Sequence, residues 1–296
     1  MHSNIPPLMA KMRVGFIGLG MMGTPMALRL SRKFPLTVWN RSPSKYPELT
    51  KAGATIGETP SQVVEQSDIV FTMLFNGPAI QSILSDDFRK ALQGKLLVNT
   101  SSVSVEFSNF LANYVHEAGG RFIEMPVSGS KVPAEQGNLV GMMAGDRLAC
   151  ASIEDIVQPI TCAAVYCGPI GSGLKTKYAV NLYLVTMTAG LAESMNLARA
   201  QGLDLQAFGM VLDAGPLASA YSKLKIAKMI NQDWSPQAAM KDCYNSAQLI
   251  QSAVKAADTW SPLAQLCESL YGEAIESGLG EEDMIAVVKL LSRPPS

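Results

Sequence analysis

The feature that most constrains this chain is a glycine-spaced turn, Gly18-Leu19-Gly20-Met21-Met22-Gly23. It follows a short apolar run, Arg13–Ile17, and leads into a helical pattern, Met21–Ser31. In that setting each glycine has its own physical reason. The first permits a tight turn, the second lets a pyrophosphate approach the backbone, and the third lets helix pack closely on strand, while the helix N-terminus attracts phosphate. The spacing alone is a weak signal. The flanking strand and helix turn it into a dinucleotide-binding expectation.

The second candidate strand, Leu36–Trp39, bears on which dinucleotide. It runs into Asn40-Arg41-Ser42, with Lys45 close behind. Asn40 lies 22 residues after Gly18 (40 − 18), near where an NAD site places a ribose-binding carboxylate. No carboxylate occurs there. Arg41 can stack on adenine and hold a 2′-phosphate, and Ser42 and Lys45 add donors. A solvated basic turn would carry the same residues. The expectation is NADP(H) rather than NAD(H).

Further candidate strands are Asp68–Leu74, Lys95–Asn99, Arg121–Met125, Asn138–Ala144 and Ala163–Cys167. Helical patterns Ser61–Gln66, Ala79–Leu84, Glu106–Ala118 and Leu148–Val157 lie between them. Alternation of this kind predicts a parallel, doubly wound sheet. From Gly173 to Gln201 there is no proline and one interior glycine, Gly190. That is roughly 28 residues, or about 42 Å of helix, apolar on almost every face and so expected to be buried along its length. Beyond it, Leu205–Leu212, Lys223–Met229, Ala238–Ala256, Pro262–Ser277 and Asp283–Leu291 read as helices, with no strand. The expected organisation is a flexible tail over 1–11, an α/β Rossmann domain over 12–172, an interdomain helix over 173–201 and an all-α C-terminal domain over 202–296.

Composition excludes several functions. Twenty-four basic and 25 acidic side chains give no basic stripe for nucleic acid. No run is apolar and long enough to cross a bilayer; Tyr178–Leu191 is short and carries Asn181. The N-terminal segment has no signal-like apolar stretch. The five cysteines, Cys150, Cys162, Cys167, Cys243 and Cys267, form no CxxC pair and suit a reducing, cytoplasmic setting, with Cys162 and Cys167 expected as small core residues. His2 and His116 are the two histidines, His2 in the tail and His116 on an ordinary crossover helix. Histidine-based hydrolysis, histidine-rich metal sites and histidine-acid dehydrogenases are thereby disfavoured, and no metal is expected.

Proton chemistry must then come from another side chain. Lys177 and Asn181 follow Gly171-Ser172-Gly173 at i and i+4, on one face near the start of the long helix. Lysine is rarely buried unpaired. The plainer alternative is a lysine that snorkels out at the helix start, which Lys175, on a different face, fits better. A helix N-terminus and partial desolvation both push an ammonium pKa down, toward useful proton transfer. Pro126-Val127-Ser128-Gly129-Ser130-Lys131 follows a strand and offers hydroxyls and backbone N–H groups to a carboxylate. By itself it reads more readily as an ordinary tight turn.

Taken together, the glycine turn, Pro126-Val127-Ser128-Gly129, Gly171-Ser172-Gly173 with Lys177 and Asn181, and Lys241-Asp242 resemble the β-hydroxyacid dehydrogenase family. The stretches Pro126–Gly137 and Trp39-Asn40-Arg41-Ser42 look most like its glyoxylate/succinic-semialdehyde reductase branch. The resemblance implies that Lys177 is the catalytic lysine, that Ser128 and Gly129 hold the substrate carboxylate, and that Asn181 assists. It implies that Met73 and Leu74 flank the cofactor, that Ser102 contacts the nicotinamide ribose side, and that Lys241 closes over the nicotinamide with support from Asp242. It further implies a homodimer or homotetramer and a small carboxylate-bearing substrate.

The chain departs from the family pattern at Asn99-Thr100-Ser101-Ser102, where Asp-x-Ser-Thr is usual, at Val180, at Met125 and across Leu212–Leu217. These changes bear on the substrate more than on the reaction. Imine reduction, oxidation of a β-hydroxy amino acid and a non-catalytic nucleotide-binding module are the competing readings. Lys177 argues against the first and the last.

Overall fold

The structure, a computed structural model, describes residues 12–292. The tail expected over 1–11, with His2, lies outside the described residues. The chain divides into two compact units between Lys177 and Tyr178.

Among the described residues the first unit is built on nine strands: β1 (Val14–Ile17), β2 (Leu36–Trp39), β3 (Thr55–Ile56), β4 (Ile69–Thr72), β5 (Leu96–Asn99), β6 (Arg121–Glu124), β7 (Val127–Ser128), β8 (Leu139–Gly145) and β9 (Thr161–Gly168). They run in the order β3-β2-β1-β4-β5-β6-β8-β7, with β9 also paired to β8. β1, β4 and β5 are buried on both faces. This accounts for near-continuous apolar runs in place of alternation. Phe16 and Phe71 stack at 6.2 Å between ring centroids in the core beneath the sheet. Each such fully buried side chain contributes roughly 1.5–3 kcal/mol.

The sheet is mixed rather than wholly parallel. Strands β1 to β6 pair in parallel, but β8 is antiparallel to both β6 and β7. Between β7 and β8 the only helix is Lys131–Gln136, six residues long, or about 9 Å. That is too short to carry the chain back along a sheet, so β8 returns in the opposite sense. The two short helices Arg147–Ser152 and Glu154–Val157 then make a crossover, and β9 pairs in parallel with β8. The short strands β3 and β7 and the helices Tyr46–Lys51, Asp86–Ala91 and Lys131–Gln136 carried too little periodicity to be read from sequence. Cys162 is exposed on β9 rather than packed in the core, and all five thiols are free.

The order of strands reverses direction at β1, because β2 lies on one side of it and β4 on the other. In open α/β sheets, a ligand crevice forms at such a switch point, beyond the carboxyl ends of the strands. Gly18, Asn40, Met73, Thr100 and Met125 each follow one of these strand ends.

The long helix spans Ser172–Ala200. The remainder of the second unit is helical: Leu205–Ala214, Ala220–Asn231, Met240–Ala256 and Pro262–Glu276, then a 3-10 turn Met284–Val287 and the helix Val288–Leu291. Within this unit the long helix meets its neighbours through Tyr271 Oη donating to the Val185 carbonyl at 2.9 Å and Asn196 Nδ2 donating to the Leu291 carbonyl at 2.8 Å. Tyr183 and Leu197 are 70% and 60% exposed, so the helix is not buried along its length. Its partners cover some faces only, and apolar composition does not by itself supply neighbours for the rest. Among the described residues no helix is long and apolar enough to cross a membrane.

One buried ion pair organises the second unit. Lys225 Nζ donates to Asp283 Oδ1 at 2.6 Å, with both side chains excluded from solvent. Asp283 also accepts the Ile285 and Gln237 N–H groups. The carboxylate is thereby fully used, which is the condition under which a buried pair is tolerated. Asp283→Ala leaves an uncompensated buried ammonium. It is expected to lower the unfolding free energy by about 3–5 kcal/mol, read as a reduced urea midpoint at unchanged slope.

Candidate active site

At the switch point the three glycines do different things. Gly18 has φ +101°, and a Cβ there would run into the Met73 carbonyl and lie 2.9 Å from Leu74 Cδ2. A Cβ on Gly23 would overlap the Gly18 carbonyl oxygen. These two glycines exist so that strand β1, its turn and the helix Gly23–Ser31 can touch. Gly20 differs: nothing lies within 4 Å of where its Cβ would be. The N–H groups of Gly20, Met21 and Met22 have no acceptor among the described residues. Open space over free backbone donors at a helix start is what a pyrophosphate needs, so the residues present fit a dinucleotide.

Asn40 shapes this loop. Its Oδ1 accepts the Leu19 N–H at 2.9 Å and its Nδ2 donates to the Ser42 carbonyl at 2.8 Å. Tyr46 Oη brackets the same residue, accepting the Asn40 N–H and donating to the Asn40 carbonyl. Both ends of the amide are therefore engaged in holding the glycine turn to the end of β2. Arg41, Ser42 and Lys45 lie beyond it, all exposed. Neither Arg41 nor Lys45 forms an ion pair among the described residues. Tyr46 was not anticipated from sequence, since a lone tyrosine in a polar turn carries no signal.

The ends of β4 and β5 form the adjoining wall. Thr72 Oγ1 donates to Asn99 Oδ1, Thr100 Oγ1 donates to the Thr72 carbonyl, and Leu74 N–H donates to Ser101 Oγ. Met73, Leu74 and the Asn99–Ser102 segment are thus brought to the same edge as the glycine turn, with Ser102 next to the bonded Ser101. Asn99 is fully buried, and its Nδ2 has no partner.

Val127 and Ser128 form strand β7, paired with Gly141 and Val140 of β8, so the turn expected at Ser128 begins one residue later. Gly129 has φ +128° and crowds Leu139 and Pro133, which makes it the turning residue. Ser128 is half-buried and Gly129 exposed.

The long helix begins beside this segment. A Cβ on Gly173 would lie 3.0 Å from Glu124 Oε1 and 3.3 Å from Pro126 Cδ, and nearer still to the backbone of β8, so glycine is required for the approach. Glu124 is fully buried. Its Oε1 accepts the Leu174 N–H at 2.8 Å, and its Oε2 accepts the Gly171 N–H at 3.0 Å and the Ser108 hydroxyl. Glu124 was missed at the sequence level. Its signal was there, as an acidic residue inside the apolar strand Arg121–Met125.

Lys175 is exposed and Lys177 is 8% exposed. Lys177 Nζ has no hydrogen bond or ion pair among the described residues, and burial pushes its pKa down to about 8. Asn181, one turn further on, is buried too. Its Nδ2 donates to Ser246 Oγ at 3.2 Å, and its Oδ1 is left without a partner. Buried without a partner, the Lys177 amine can exchange a proton with a small polar molecule, and the unused Asn181 oxygen can accept a hydrogen bond from one.

Lys241 and Asp242 lie in the second unit at the start of the helix Met240–Ala256. Lys241 Nζ grips both carboxylate oxygens of Glu281, at 2.6 and 2.7 Å. Burial raises the pKa of Asp242.

The first unit therefore defines a class by its fold: a doubly wound sheet whose switch point has room and free backbone donors for a dinucleotide. Comparison with known proteins is consistent with this geometry. Residues 13–168 match the NAD binding domain of 6-phosphogluconate dehydrogenase, and residues 171–291 match the NAD-binding region of NADP-dependent 3-hydroxyisobutyrate dehydrogenase. Glyoxylate/succinic semialdehyde reductase 1 of Arabidopsis thaliana is 31% identical over 94% of this chain and 98% of its own length. Mitochondrial 3-hydroxyisobutyrate dehydrogenase of Mus musculus is 34% identical over 69% of this chain and 62% of its own. A crystal structure of 3-hydroxyisobutyrate dehydrogenase from Salmonella typhimurium has the same fold, with a TM-score of 0.88 at 22% identity over 95% of this chain and 100% of that one. The chain belongs to the β-hydroxyacid dehydrogenase family of pyridine-nucleotide-dependent oxidoreductases.

The glycine geometry separates two roles experimentally. Gly20→Ala is expected to leave the thermal midpoint unchanged and to weaken nicotinamide-nucleotide binding by roughly tenfold or more. Gly23→Ala is expected to cost about 1–3 kcal/mol of stability by overpacking. Thermal melts and fluorescence titration read the two effects separately.

Proposed function

We propose that the chain is an NADPH-dependent reductase of small carboxylate-bearing aldehydes or keto acids, such as glyoxylate or succinic semialdehyde, with the oxidation of the corresponding hydroxyacid as the reverse reaction. The observation that carries this reading is Lys177: a buried amine with no partner and a pKa near 8, one helical turn from the unpartnered Asn181 oxygen. Such a group can hold or release a proton near neutral pH, which is what general acid–base work requires.

When bound, the reduced nicotinamide supplies a hydride to the substrate's carbonyl carbon. Lys177, as ammonium, gives a proton from Nζ to the carbonyl oxygen as the C=O π electrons move onto it, and the neutral amine then recovers a proton from solvent. In the oxidising direction the neutral amine takes the hydroxyl proton. Ser128 and Gly129 hold the substrate carboxylate, and Asn181 orients the reacting oxygen. Gly20, Met21 and Met22 offer their N–H groups to the pyrophosphate, Gly18, Leu19 and Gly23 shape the turn that presents them, and Met73, Leu74 and Ser102 border the nicotinamide side. Lys241, with Asp242 behind it, acts on the bound cofactor. Arg41, with Ser42 and Lys45, takes the 2′-phosphate; their exposure and lack of ion pairs support this. The active form is a homodimer or homotetramer, a reading supported by exposed apolar side chains such as Met210, Val211 and Leu263 in the second unit. Light scattering checks it.

Nucleotide oxidation followed at 340 nm with glyoxylate and succinic semialdehyde tests the assignment. Lys177→Ala is expected to lower kcat by about 10²-fold or more. Turnover confined to β-hydroxy amino acids or imines would replace this substrate class. Arg41→Ala is expected to lower kcat/KM for NADPH by about 10- to 100-fold and to leave NADH nearly unaffected.

The pKa of Lys177 sets the sign of the pH dependence. Reduction needs the ammonium, so its rate falls as pH rises through about 8, whereas oxidation needs the amine and its rate rises through the same value. Initial rates measured in both directions across this range check the pair of opposite slopes.

A further inference from the structure

We propose that Glu124 is a positioning residue for the reaction, clamping the first turn of the helix that carries Lys177 against the strand end that leads to Ser128 and Gly129. This rests on the reading of Lys177 as the proton-transferring group.

The carboxylate of Glu124 is fully buried and pairs with no lysine or arginine among the described residues. Burying an anion without a cation is costly unless every lone-pair direction is used. Here three donors converge on it from two other segments: Ser108 in the helix Val105–Glu117, and the Gly171 and Leu174 N–H groups at the start of the long helix. The positive end of the helix dipole supplies the rest of the compensation. All three partners donate, so the site needs acceptors only. A glutamine of the same shape would turn an NH2 group toward one of those donors.

The location makes the arrangement functional as well as stabilising. Glu124 ends β6, and Ser128 and Gly129 lie four and five residues further along the same chain segment. Lys177 lies one turn beyond Leu174. The helix start approaches Pro126 so closely that Gly173 leaves no room for a side chain. One carboxylate therefore sets the distance between the residue that moves the proton and the turn that holds the substrate. A displacement of about 1 Å in such an arrangement can cost 10²-fold in rate without loss of binding.

The test uses the full chain, with kcat taken per NADPH-loaded site on glyoxylate and succinic semialdehyde, NADPH affinity from fluorescence titration, and amide hydrogen exchange over residues 171–177. Glu124→Gln is expected to lower kcat by about 10²-fold, with KM and NADPH affinity nearly unchanged and faster exchange confined to 171–177. Glu124→Asp, which keeps an acceptor-only group, is expected to recover part of the loss. A kcat within about threefold of wild type for Glu124→Gln, while Lys177→Ala is inactive, overturns the inference and leaves the lysine mechanism standing. Full turnover in Lys177→Ala overturns the mechanism, and this inference with it. If Glu124→Gln does not fold, Ser108→Ala removes one donor and keeps the carboxylate: a several-fold loss in kcat at unchanged KM supports the clamp, and an unchanged kcat overturns it.

Discussion

Gly18 and Gly23 touch where strand β1 gives way to its helix, and the nucleotide site depends on that contact. The Gly18 carbonyl occupies the space that a side chain on Gly23 would fill, and the Met73 carbonyl occupies the space beside Gly18. Removing two side chains lets three backbone segments meet at the reversal of strand order. That proximity aims the helix start and its free N–H groups at one point above Gly20. Asn40 then fixes the loop from the side, spending both ends of its amide on Leu19 and Ser42. The asparagine that stands in place of a ribose-binding carboxylate thus supports the turn, and Arg41, Ser42 and Lys45 stay exposed beyond it.

The beginning of the long helix poses the opposite electrostatic problem. It buries the carboxylate of Glu124, from the end of β6, against its Gly171 and Leu174 N–H groups, buries the amine of Lys177 three residues after Leu174, and treats them differently. Glu124 receives donors from three groups and sits where the helix dipole favours an anion. Lys177 receives nothing, and burial alone lowers its pKa. A buried ammonium without such partners holds its proton less tightly than an exposed one. The second unit shows the same compensation in the Lys225–Asp283 pair, where the carboxylate is shared between an ammonium and two backbone donors.

Much of this could be read along the chain. Strands β1, β2, β4, β5 and β6 and the long helix fall within a residue or two of the boundaries their periodicity implied, because each is long or apolar enough to show its repeat. Strand β3 and the helices Tyr46–Lys51 and Asp86–Ala91 are too short for that. The direction of β8 was not legible, since it depends on a six-residue helix that cannot complete a crossover. The long helix was read as buried throughout because apolar residues occur around it, yet Tyr183 and Leu197 face solvent. Lys177 and Lys175 could be separated in advance by helical phase alone, and burial distinguishes them as that phase implied.

What the sequence by itself determined is local. The glycine turn, the basic residues after β2, the lysine and asparagine one turn apart and the helical second half all lie within single short segments, where spacing dictates geometry. What only the tertiary structure decided is the set of meetings between distant segments. Asn40 reaches Leu19 across 21 residues, and Glu124 gathers partners 16, 47 and 50 residues away. No periodicity records such meetings, because they arise when the sheet brings strand ends together and packing forces each buried polar group to find a partner.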